Sequence, residues 1–195
     1  MKSFEDVVSF HGHSCPGLAL GYRVSLAALR ELGEGTASRD EEIVAVVEND
    51  SCAVDAVQVM TGCTFGKGNL IFRDYGKQAY TFISRATGKA LRITIDFTPP
   101  PESDEEREMW KRYARGDRSE EVLNTVHSRK ARKTEEVLKA DEADLLRITR
   151  VKAEPPAEAR IYESIRCAVC GEKVAAPKAI VKGDTVVCIP CSERR

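Results

Sequence analysis

The chain has 195 residues, with 30 Lys/Arg against 31 Asp/Glu (formal net charge −1 at pH 7) and 42% hydrophobic residues. That balance suits one globular domain with a small appendage and exerts no overall pull toward nucleic acid or an anionic membrane. No apolar run approaches the ~18 residues of a membrane span. The stretch Met1–Asp6 lacks a basic region followed by an apolar one, so the expectation is a cytoplasmic protein without a secretory signal.

Residues 3–10 predict a short helix with Ser3 as cap and Phe4, Val7 and Val8 as its apolar positions. The loop His11-Gly12-His13-Ser14-Cys15-Pro16-Gly17 follows, and then an apolar, alanine-rich run to Leu32. In that run Leu18, Tyr22, Leu26 and Leu29 recur at helical spacing, and Gly33 ends it. Gly35 to Asp40 reads as a loop. Ile43 to Val47 is a continuous β-branched run, the signature of a strand buried on both faces. Asp50 or Ser51 is a good cap for a helix from about Cys52 to Met60, with Gly62 as its stop.

After the turn Gly66-Lys67-Gly68, residues 69–73, 80–85 and 90–97 predict three strands. Pro99-Pro100-Pro101 interrupts regular structure. Ser103 with Glu106 forms a capping box for a helix whose apolar stripe is Met109, Trp110, Tyr113 and Ala114. A long polar helix is expected from Ser119 to about Lys139. It offers few core residues, which suggests an arm (about 102–140) reaching the tail or a second subunit. A last strand, 145–151, precedes the linker Pro155-Pro156. The fold class is therefore α+β: a mixed sheet of about five strands flanked by helices in a core domain of residues 1–153, with a small domain at 160–195.

Chemistry concentrates at both ends. A disulfide framework fits neither the odd count of seven cysteines nor a reducing compartment. In the tail, Cys167, Cys170, Cys188 and Cys191 form C-x2-C-x17-C-x2-C, the spacing of a structural zinc site, and the hairpin from Lys178 to Val187 turns at Gly183-Asp184. Residues 160–195 hold seven Lys/Arg and four Asp/Glu but a single aromatic, Tyr162. That composition favours a folding staple over a nucleic-acid surface.

Near the N-terminus, two imidazoles and a thiol fall within five residues at the entrance to a helix. A helix start favours a thiolate, and imidazole and thiolate are the donors that borderline metals prefer. His11, His13 and Cys15 thus mark either a metal site or a reactive-thiol site. Cys52, near a second helix start, can join Cys15 if both starts face the same end of the sheet. A helix of ~10 residues separates Cys52 from Cys63 by ~15 Å, and a buried cysteine is often only a small apolar residue. Asp50 and Asp55 are candidate acids or partners for a histidine. Lys67 is a candidate contact for an anionic ligand, and His127 reads as solvated.

Three stretches together, 10–32, 48–58 (Glu48-Asn49-Asp50-Ser51-Cys52-Ala53-Val54-Asp55-Ala56-Val57-Gln58) and 61–69 (Thr61-Gly62-Cys63-Thr64-Phe65-Gly66-Lys67-Gly68-Asn69), resemble the E-subunit family of formylmethanofuran dehydrogenase over roughly residues 1–150. The tail is similar to the treble-clef finger that some members append. The resemblance implies a five-stranded mixed sheet, homodimers formed partly by exchange of elements, and a cleft lined by the His11/His13/Cys15 and Cys52/Cys63 segments that can hold a second transition metal. Members are associated with the molybdenum or tungsten enzyme that reduces CO2 onto methanofuran, whose subunits are then expected partners. The chain has no paired C-x-x-C-x-x-C runs for iron–sulfur clusters. Three functions follow as expectations. The first is a metal-binding accessory protein using His13, Cys15 and Cys52. The second is a thiol enzyme with Cys15 as nucleophile or redox thiol and a histidine base. The third is a regulatory or nucleic-acid module acting through the finger.

Overall fold

A computed structural model describes residues 1–34, 37–99 and 101–193. Gly35 and Thr36 of the expected 35–40 loop, Pro100, Arg194 and Arg195 lie outside the described residues. The chain divides into two compact units, Met1–Glu158 and Ala159–Arg195.

The first unit opens with helices α1 (Phe4–His11) and α2 (Pro16–Leu32), then strand β1 (Ile43–Val47), helix α3 (Ala53–Thr61) and strands β2 (Leu70–Phe72), β3 (Ala79–Ser84) and β4 (Ala90–Ile95). It continues with helices α4 (Asp104–Ala114), α5 (Glu120–Lys139) and α6 (Glu142–Leu145), and closes with strand β5 (Leu146–Val151). The sheet has five strands in the order β2-β1-β3-β4-β5. β1 and β2 are parallel, joined through α3, and the remaining pairs are antiparallel, so the sheet is mixed.

The large core lies between the sheet and the helices: Ala28, Leu29 and Leu32 of α2 meet Tyr80, Phe82, Leu91 and Ile93. A smaller cluster of Val44, Ile83 and Ala90 covers the other face, which is why β1 is apolar at every position. A third cluster, Val7, Leu18, Ala56 and Met60, binds α1, α2 and α3 together beside the motif loop.

The capping boxes at Ser3/Asp6 and Ser103/Glu106 open α1 and α4. The start of α3 differs from the expectation. Neither Asp50 nor Ser51 caps it; Cys52 sits at the cap position without a side-chain bond. Instead the buried Asn49 organises the loop. Its Oδ1 accepts from the Ser51 N–H at 3.2 Å and hydroxyl at 2.7 Å, while its Nδ2 donates to the Lys77 carbonyl at 2.8 Å.

The polar helix α5 also differs from the expectation of an arm with little to hold it. Val122, Val126 and Val137 are buried, with α4 and α2 packed alongside. Arg23 of α2 donates to the carbonyls of Val137 (2.8 Å), Leu138 (2.9 Å) and Ala140 (2.8 Å), satisfying the unpaired end of α5. α4 buries no residue fully. Its Trp110 stacks on Tyr113 and receives the Arg129 guanidinium over its ring, so its apolar stripe is half covered by α5.

The loop after β1 is clamped at its root by Glu48, whose carboxylate takes both terminal nitrogens of Arg92 on β4, one of them at 2.9 Å. Those hydrogen bonds hold the Glu48 carboxyl below its ordinary value against the opposing effect of burial. A carboxyl lowered in the folded state adds stability above its unfolded pKa and loses that contribution as pH falls through its folded pKa. Arg92→Met leaves the carboxylate buried and unpaired. We expect a loss of about 2 kcal/mol at pH 7, below the range for fully buried pairs because Arg92 is partly exposed. Urea titrations from pH 7 to pH 3 test this: the gap between the two proteins narrows as Glu48 becomes protonated.

The second unit contains strands β6 (Ser164–Arg166) and β7 (Lys173–Ala175), a 3-10 turn at Ala176–Lys178, strands β8 (Ala179–Lys182) and β9 (Thr185–Cys188), and the short helix α7 (Ile189–Glu193). Each strand pair is an antiparallel hairpin. Cys167 and Cys170 occupy the β6–β7 turn, Cys188 ends β9, and Cys191 lies on α7. Among the described residues, no helix is long and apolar enough to cross a membrane.

Candidate metal centre

The N-terminal group forms where three helix ends meet. Gly12 caps α1 with φ +91°, which turns the chain sharply after His11. Pro16 begins α2, and Cys15 caps it, its sulfur accepting the Leu18 N–H at 3.4 Å. α3 carries Asp55 in its first turn, facing the same place.

His11 Nδ1 lies 2.7 Å from Asp55 Oδ2. An ionised carboxylate only accepts, so in the neutral ring this bond places the proton on Nδ1 and leaves the Nε2 lone pair free. Nε2 is buried with no hydrogen-bond partner among the described residues. One nitrogen of His11, one of His13 and the Cys15 sulfur all lie within 4.8 Å of one another. The two imidazole rings are 4.5 Å apart between centroids. His13 is exposed and His11 is largely buried, so the group sits at the surface with one open side.

Cys52 stands against Cys15. A Cβ built on Gly17 would lie 3.4 Å from the Cys52 Cβ and 4.0 Å from the Cys15 sulfur, ordinary contact distances that place both cysteines beside the first turn of α2. Burial, and then the neighbouring Cys15 sulfur, push the Cys52 thiol above its ordinary value. Asp50 lies apart from the triad, exposed, on the rim of a neighbouring cleft that also includes Asp55.

Two candidates fall elsewhere. Cys63 is 0% exposed, packs in the main core and directs its sulfur to the Ile43 carbonyl at 3.2 Å; burial pushes its thiol up to about 11. It is a core residue and is removed from the ligand set. Gly62, at φ +73°, turns the chain inward there. Lys67 donates to the Asp40 carbonyl at 2.9 Å and thereby pins the preceding loop. Its ammonium also lies 3.5 Å from the Ser38 and Arg39 carbonyls of that loop.

In the tail, ligand atoms of Cys167, Cys170, Cys188 and Cys191 gather within 4.8 Å. The Cys188 N–H donates to the Cys167 sulfur at 3.3 Å. Backbone N–H groups of Cys170 and Cys188 hold the Cys167 thiol down to about 6, whereas hydrogen bonding to Cys188 and burial raise that of Cys191. Four adjacent sulfurs cannot all ionise without a cation, and a divalent ion removes the conflict. Apart from the cysteines, this unit buries only Val187 among its described residues, with Val174 partly covered, which is too little core to fold on apolar burial alone.

An α+β domain with an imidazole–thiol group beside its sheet, followed by a four-cysteine finger, defines the class. The family model described as "FmdE, Molybdenum formylmethanofuran dehydrogenase operon" matches residues 10–147, and the chain belongs to that family. The model of the prokaryotic dksA/traR C4-type zinc finger matches residues 160–195. A solved FmdE-like protein of the tungsten formylmethanofuran dehydrogenase type, from Syntrophus aciditrophicus, is similar at 27% identity and a TM-score of 0.63, covering 97% of this chain and 89% of that one. A protein from Archaeoglobus fulgidus described as a probable S-adenosyl-L-methionine-binding protein is 35% identical over 175 residues. That match takes in 87% of this chain and 48% of the relative, so the chain spans about half the relative's length.

Two features beside the site were not apparent from sequence. Gly21 on α2 lets the backbone of α3 approach at Ala53. Phe65 and Phe72, which wall the neighbouring cleft, gave no local signal.

Proposed function

We propose that this chain is a metal-binding accessory protein related to the FmdE component of molybdenum or tungsten formylmethanofuran dehydrogenase. In this reading His11, His13 and Cys15 hold a zinc-class ion. The observation that carries it is the buried, unpartnered Nε2 of His11, on a ring whose other nitrogen is fixed by Asp55. Metal-binding histidines characteristically give their second ring nitrogen to a carboxylate, and the N/N/S donor set suits a borderline ion. Three protein donors leave a tetrahedral ion one position short. Cys52 stands beside Cys15 to fill it, or the position serves an exchangeable ligand. A bound ion would supply Lewis acidity there. The finger is a folded platform for assembly with other proteins, and the homodimer is part of the same reading.

Metal analysis of the untagged full chain tests the proposal. Two zinc-class ions per chain are expected. Cys15→Ser abolishes one of them, and Cys167→Ser abolishes the other. Asp55→Asn frees the His11 ring to rotate and weakens the first class about 10–100-fold while sparing the second. Finding only the finger metal, with Cys15 instead rapidly alkylated, would favour the thiol-enzyme reading.

A further inference from the structure

A cleft of about 300 Å³ shares Asp55 with the metal-ligand group. Its walls are apolar, built from Val54, Leu70, Phe65 and Phe72. Phe65 is 81% exposed and Phe72 46% exposed, so both rings face solvent at the cleft. Its charge comes from Asp50 and Asp55, and no Lys, Arg or His is among its lining residues. Asp55 is engaged by His11 and, at 3.3 Å, by Gln58, whereas the Asp50 side chain has no hydrogen-bond or ion-pair partner among the described residues.

We propose that this cleft binds a small organic cation with an apolar or aromatic body, such as an alkylated ammonium. Its volume is at the lower end of small-molecule sites. An anion would meet two carboxylates and no compensating base. A neutral apolar ligand would leave both carboxylates facing it unused. A cation satisfies Asp50 directly, gains from Asp55 through space, and is drawn to the faces of exposed aromatic rings while its body covers Val54 and Leu70. The site stands on its own geometry and does not require the ion proposed above.

The test compares three probes with one body and different charge: benzyltrimethylammonium, benzyl alcohol and phenylacetate. Each is titrated calorimetrically into the full chain at low salt, before and after chelator treatment. The cation is expected to bind about tenfold more tightly than the alcohol, and phenylacetate most weakly. Asp50 is exposed, so Asp50→Asn leaves folding and metal content intact. It lowers the cation's affinity about fivefold and leaves the alcohol unaffected. Phe72→Ala weakens cation and alcohol alike. Equal affinities for the three probes, a preference for phenylacetate, or a cation affinity indifferent to Asp50→Asn overturns the inference. So does a change of oligomeric state in Phe72→Ala without any cation response, which would make this face an interface between copies. Cation binding in a chain that never takes up an ion at the His11 group sinks the metal reading alone; an ion bound there without any preference for the cation sinks this inference alone.

Discussion

Cys188→Ser unfolds the finger and leaves the core domain standing. Cys188 ends β9 with its sulfur 3.9 Å from the Cys170 sulfur, and its N–H supports the Cys167 sulfur. Little else holds the unit, because its apolar interior is reduced to Val187 with Val174 beside it. Structural zinc in comparable fingers supplies about 10–16 kcal/mol of apparent binding energy, which is folding energy for so small a unit. Serine keeps the size but offers a poor ligand. One zinc per chain should be lost, and backbone amides of residues 160–193 should collapse to the narrow dispersion of an unfolded segment. Amides of the sheet should stay where they are, since that unit has its own core of α2 against β1, β3 and β4. A strong chelator should reproduce the effect on the unmodified chain. Retained dispersion in the finger after complete zinc removal would show that hairpins and α7 hold without the ion.

What was legible in the sequence was local. The β-branched run of β1, the Ser–x–x–Glu box of α4 and each C-x2-C pair of the tail place the relevant residues within a few positions of one another, and each appears in the structure. What was not legible depends on distance along the chain. Asp50 and Asp55 were both candidate partners for a histidine, but only the fold chooses Asp55 and joins it to His11 across 44 positions, and Arg23 meets the end of α5 across 114 positions. No periodicity reports such pairings, so α5 read as an unsupported arm although a single arginine holds its end. Cys63 failed as a ligand for a related reason. A cysteine just past a helix looks alike whether the chain turns outward or inward, and Gly62 turns it into the core. Asn49 displaced Asp50 and Ser51 as the organiser of the α3 entrance because its side chain reaches both Ser51 and the Lys77 carbonyl on the adjoining segment, a partner visible only after folding.

Gly21→Ala should be one of the most damaging single methyl additions in the core domain. A Cβ at that position would stand 2.2 Å from the Ala53 carbonyl oxygen, 2.6 Å from its Cα and 2.7 Å from its carbonyl carbon. All three are backbone atoms at the first residue of α3, so no side-chain rotation relieves the overlap. The helices must move apart by about 1 Å, into a core packed at crystal-like density. We expect a cost of about 3 kcal/mol, the upper end for overpacking, or a fall of about 6–12 °C in melting temperature for a domain of this size. The same displacement carries α3 away from α2 where Cys52 lies beside Gly17 and Cys15, and it shifts Asp55 relative to His11. Metal affinity at the N-terminal group should therefore fall along with stability, although Gly21 touches none of its ligands. Gly66→Ala is the control. Nothing lies within 4 Å of its added methyl and its backbone is not in the left-handed region, so it should stay within about 0.5 kcal/mol of the parent and keep its metal. A Gly21→Ala protein as stable as Gly66→Ala would mean that α2 and α3 do not cross this closely, and the juxtaposition of the two helix starts that assembles the site would lose its physical basis.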